Sequence, residues 1–106
     1  MTMDKALTNS EQLAIINAET SKIEWSSLQR FFAQGRTLLV NPQLDLVNVA
    51  FHIVSNKADS VEQWMNDQSL SVVSDELARE LLNDNAMVWA VVIKPWVLIQ
   101  TSKAES

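Results

Sequence analysis

The run from Met87 to Gln100, Met-Val-Trp-Ala-Val-Val-Ile-Lys-Pro-Trp-Val-Leu-Ile-Gln, constrains this chain more than any other segment. Met87–Ile93 is an unbroken apolar stretch of strand length and rich in Val, a pattern that suits a strand covered on both faces. Left bare, it would pair with other chains. Pro95 cannot donate to a ladder, so it marks a bulge, an edge or a turn between two strands. The run therefore predicts strands at Val88–Ile93 and Trp96–Thr101, central in a sheet or covered by a partner subunit. A membrane-crossing helix needs ~20 apolar residues, and Lys94 and Pro95 interrupt this stretch. No membrane contact is expected.

The rest of the chain alternates helical and extended signals. Thr8-x-x-Glu11 and Asn9-x-x-Gln12 have capping-box spacing and predict a helix over 10–21. Ser26-x-x-Gln29 repeats the signal, Leu28, Phe31 and Phe32 give an apolar helical face, and Gly35 stands where a helix wants a left-handed residue. Thr37–Val40 reads as a strand ending at Asn41-Pro42. Leu44–Asn56 is ambiguous, because Val47, Val49, Phe51 and Ile53 alternate as a strand would. The polar set Asp45, Asn48, His52 and Ser55 fits one helical stripe, whereas a strand would put Asp45 and Asn48 on opposite faces. Helix is the better reading. Ser60-x-x-Gln63 predicts a helix to Gln68, Leu70–Val73 a short strand or linker, and Ser74 caps a helix over 75–84.

Composition removes whole classes of function. The chain has 106 residues, no Cys, one His and one Gly. Thiol catalysis, disulfides, zinc sites built on thiolates or His pairs, and Gly-rich phosphate cradles are therefore ruled out. A net charge of −5 argues against gripping a phosphate backbone, so no nucleic acid is expected. Residues 59–84 hold Asp59, Glu62, Asp67, Asp75, Glu76, Glu80 and Asp84 against the single base Arg79. That stretch is a face for a basic partner or, more simply, the solvated side of two helices. Glu76 and Glu80 lack a calcium-loop pattern around them, so neither a metal nor a cofactor is expected. The absence of Cys and of a leader-like apolar stretch fits the cytoplasm.

A few side chains could still carry chemistry. His52 alone titrates near neutrality in its free form, yet no nucleophile motif accompanies it. Lys22, Trp25 and Arg30 gather at the junction of the first two predicted helices, where an anion could bind. With His52 they make one candidate small-ligand pocket. The bland alternative is a salt-bridged helix corner worth ~0–1 kcal/mol per exposed pair. Among the Trp residues, Trp96 beside Pro95 is the candidate interface anchor, together with Val97 and Ile99.

Three stretches carry a resemblance: Glu19-Thr-Ser-Lys-Ile-Glu-Trp-Ser-Ser-Leu-Gln-Arg-Phe-Phe-Ala-Gln-Gly35, Leu44-Asp-Leu-Val47, and Trp89-Ala-Val-Val-Ile-Lys-Pro-Trp-Val-Leu-Ile-Gln100. They resemble a family of short bacterial proteins catalogued only as a domain of unknown function. The resemblance covers about residues 13–101 and implies a bacterial, stand-alone, compact domain. It implies no reaction, ligand or catalytic residue.

Together these readings predict an α+β domain over 8–101, about five helices on a sheet of three or four strands, with 1–7 and 102–106 as loose ends. The expected function is non-catalytic, through a protein partner or a homodimer. The alternative is a small-ligand binder or minor enzyme at Lys22, Trp25, Arg30 and His52.

Overall fold

A computed structural model of the chain describes residues 8–101, and in it the Val-rich run forms two neighbouring inner strands of a five-stranded sheet. The elements are α1 (Asn9–Glu19), β1 (Ser21–Glu24), a 3₁₀ turn (Trp25–Leu28), α2 (Gln29–Ala33), β2 (Thr37–Val40), α3 (Leu46–Val54), α4 (Ala58–Asn66), β3 (Leu70–Val72), α5 (Asp75–Asn83), β4 (Met87–Ile93) and β5 (Trp96–Gln100). The expectations for 1–7 and 102–106 lie outside the described residues.

The strand order is β1-β4-β5-β2-β3; β2 and β5 run parallel and the other pairs antiparallel. β4 and β5 form a hairpin in which Ile93 pairs with Trp96, so Pro95 occupies a turn, with its peptide bond cis. Pleat alternation sends Trp89, Val91, Ile93, Trp96 and Leu98 to one face, where α1, α3 and α4 cover them. Val88, Ala90, Val97 and Ile99 go to the other, under the 3₁₀ turn, α2 and α5. The chain's own helices thus supply the cover. At ~1.5–3 kcal/mol for each large apolar side chain fully buried, Val88, Val91, Val97, Leu98 and Ile99 contribute substantially to both cores.

Local chemistry explains the helix starts. Thr8 caps α1, its Oγ1 accepting from Glu11 N at 3.1 Å while its own N–H donates to Glu11 Oε1 at 2.9 Å. Asp45 Oδ1 accepts from Val47 N at 3.1 Å and opens α3, so the polar stripe outweighs the β-branched alternation there. Ser74 Oγ accepts from Leu77 N at 3.1 Å and opens α5. Gly35, at φ 72°, follows α2 in the left-handed conformation expected of it.

Other expectations need correction. The sheet has five strands, because Ser21–Glu24 is a strand between the first two helices. Ser26 caps nothing: the 3₁₀ turn begins after Glu24 without a side-chain cap. Ser60 is likewise inside α4, which starts after Lys57. Capping-box spacing without a capping hydrogen bond does not start a helix. Among the described residues no helix is long and apolar enough to cross a membrane.

Candidate functional site

The sheet separates the four residues of the predicted ligand pocket. Lys22 reaches over the face covered by α1 and α3, its Nζ 5.9 Å from the centroid of the Trp89 ring opposite it on β4. His52 is on that side too, but its ring is held within the helical layer, edge-on to Phe51 at 5.8 Å and to Trp64 of α4 at 5.2 Å. Its Nδ1 is bonded to Asn48 O at 2.8 Å. The nearby Ser55 hydroxyl donates to Gln12 Oε1 at 3.5 Å, so no nucleophile is paired with the imidazole. Trp25 is on the opposite face, 0 % exposed and edge-on to Phe32 at 5.7 Å. Arg30 is exposed on α2 in that same second layer. The four groups do not converge.

The predicted interface residues part company in the same way. Val97 and Ile99 are 1 % and 0 % exposed in the core beneath α5 and the 3₁₀ turn, so they have no surface to offer a partner. They fill the interior, as the apolar run that contains them demands. Trp96 keeps some exposure but packs against the other core. Among the described residues no group of three or more His, Cys, Asp or Glu could hold a metal ion. An open depression of about 410 Å³ lined by Asn56, Lys57, Ala58, Asp59 and Ser60 marks the start of α4.

Two features were invisible in the sequence. The first is polar atoms that are buried without a hydrogen-bond partner: Trp25 Nε1, Gln29 Nε2 and Thr37 Oγ1. The second is the free edge of β1. Trp25 N donates to Ala86 O at 2.9 Å, which sets the bonded pairs of the β1–β4 ladder at Ser21/Ala90, Ile23/Val88 and Trp25/Ala86. The N–H and C=O of Lys22 and Glu24 therefore point away from β4. Ser21, Lys22 and Glu24 are exposed and Ile23 is half-buried, so these backbone groups are open to a partner.

The opposite edge is different. At β3 the outward residues are Leu70 and Val72, since Asn41 N bonds Ser69 O at 2.8 Å and Val73 N bonds Thr37 O at 3.1 Å. Leu70 is 1 % exposed, which leaves only Val72 accessible there. The acidic stretch 59–84 makes up most of α4 and all of β3 and α5; α4 packs against β3, whereas α5, with Asp75, Glu76 and Glu80, packs against the 3₁₀ turn that follows β1. β1 and β3 are the two edges of the sheet.

A family model described as "Protein of unknown function (DUF2288)" matches residues 11–101. The fold is similar to that in the NMR solution structure of PA1075 from Pseudomonas aeruginosa, at 40 % identity and a TM-score of 0.76, over 91 % of this chain and 88 % of that one. No curated protein matches the chain.

Proposed function

Since the chain belongs to the DUF2288 family of unknown function, whose description supplies no reaction to transfer, we propose that it is a non-catalytic domain that works through protein contacts made at the β1 edge. The observation that supports this reading is the pair of outward-facing residues Lys22 and Glu24, whose backbone donors and acceptors are open to solvent. An added strand gains main-chain hydrogen bonds there at little conformational cost, because β1 is already extended. The scattered positions of Lys22, Trp25, Arg30 and His52 favour this reading over a small-ligand site. The Cys-free composition suits such contacts in a reducing compartment, the cytoplasm.

The test is amide hydrogen exchange on the isotopically labelled chain, alone and in an extract of the source cells. Slower exchange at Lys22 and Glu24 in the extract supports the reading. Unchanged exchange at both, in dilute and concentrated samples alike, removes it.

A further inference from the structure

We infer that the occupant of the β1 edge is a second copy of the same chain, paired antiparallel about Ile23 so that Lys22 lies opposite the partner's Glu24. This rests on the proposed role of the β1 edge and names its partner.

The argument is one of register. Two copies of β1 related by a twofold axis pair antiparallel, and their outward-facing residues must meet if hydrogen bonds are to form. Centring the pair on Ile23 does this, because Lys22 then meets the partner's Glu24 and Glu24 the partner's Lys22. Both residues of each such pair carry outward N–H and C=O groups, so both pairs close with main-chain hydrogen bonds. Lys22 and Glu24 share one face of the sheet, and opposite charges directly across a ladder attract. Ile23 lies on the other face, and meets the partner's Ile23 at a non-hydrogen-bonded position, where side chains approach most closely.

Neighbouring registers are penalised. A shift that preserves the bonding pattern sets Lys22 against the partner's Lys22, or Glu24 against the partner's Glu24. Like charges directly opposite are destabilising. A shift by a single residue brings inward-facing backbone groups to the edge and loses the ladder. The short sequence Lys-Ile-Glu is therefore complementary to itself in one antiparallel register.

Pairing through β1 gives a continuous ten-stranded sheet, twice the five strands of one copy.

Sedimentation equilibrium on charge-swapped chains tests the register. The wild-type chain should reach twice the 11.9 kDa of a single chain as concentration rises. K22E and E24K each turn two attractive pairs into repulsive ones and should weaken dimerisation at least about tenfold. Both positions are exposed, and circular dichroism checks that the variants remain folded. An equimolar mixture of K22E with E24K restores opposite charge at every pair, and the double variant K22E/E24K does so within a homodimer; both should recover the wild-type mass. A wild-type chain that stays monomeric overturns the inference. Single variants that dimerise like wild type, or a mixture that stays monomeric, overturn it equally. If the chain is monomeric yet its Lys22 and Glu24 amides are protected in cell extract, the edge still receives a partner and only the second copy is rejected.

Discussion

Lys22 stands directly across the β1–β4 ladder from Trp89, with its ammonium 5.9 Å from the indole centroid. The contact ties the side chain of the edge strand to the central hairpin, while the Lys22 main chain still faces outward. An exposed cation over a half-buried indole is worth ~0.5–1 kcal/mol. Lys22→Ala should lower stability by about that amount in urea unfolding followed by Trp fluorescence. A loss of several kcal/mol would mean that β1 is held by something other than this contact and its ladder.

Gln100 is 1 % exposed at the end of β5, and its Nε2 donates to Asn41 O at 3.0 Å and Leu44 O at 2.7 Å. These bonds fasten the β2–α3 connection to the sheet. Gln100→Leu keeps the approximate bulk but removes both donations. Asn41 O retains Leu44 N at 2.9 Å, whereas Leu44 O loses the bond shown for it. Leaving that part-buried acceptor unpaired should cost ~1 kcal/mol, read as a lower urea midpoint with an unchanged m-value.

Thr37 is 0 % exposed and its Oγ1 has no hydrogen-bond partner. Valine preserves the β-branched shape that β2 favours and removes the unsatisfied hydroxyl. Thr37→Val should therefore be neutral or stabilising by up to ~1–3 kcal/mol in thermal unfolding. A clear drop in Tm would show that the hydroxyl is bonded in solution.

Leu98 is 0 % exposed at the middle of β5 and belongs to the core beneath α1, α3 and α4. Leu98→Ala should cost ~2–5 kcal/mol, a large part of the total stability of a domain this size. Val92, on the same hairpin but 48 % exposed, should tolerate alanine within ~0.5 kcal/mol or slightly more, given the strand propensity it loses. Equal losses at the two positions would contradict the difference in burial between them.

The contrast between those two strands and β1 shows what could be read from residues alone. The hairpin was legible because a continuous Val-rich run leaves no other stable arrangement, and Pro95 marks the turn. Asp45, Asn48, His52 and Ser55 identified α3 because a polar residue in the core is costly, so their spacing outweighed the alternation of Val47 to Ile53. β1 escaped notice because an edge strand exposed along most of its length carries no apolar period; Ser-Lys-Ile-Glu is simply too short and too polar. Ser26 and Ser60 misled because a box spacing recurs by chance and says nothing of the backbone angles a cap requires. The pocket of Lys22, Trp25, Arg30 and His52 failed for a different reason. Proximity in sequence does not tell which face of an unseen strand a residue occupies, and the sheet runs between them. The open edge was not legible at all, since it belongs to the backbone and exists only once the strand order is known.

Exchange at single amides of β1 tests the account most directly. In the isolated chain the Ile23 amide faces Val88 in the ladder, and those of Lys22 and Glu24 face outward. Exchange followed by NMR at rising concentration should leave Ile23 slow throughout. Lys22 and Glu24 should pass from fast to protected as the dimer forms, in step with each other. If both remain fast when Ile23 is slow, at every concentration and in cell extract, the β1 edge receives no strand and the account fails.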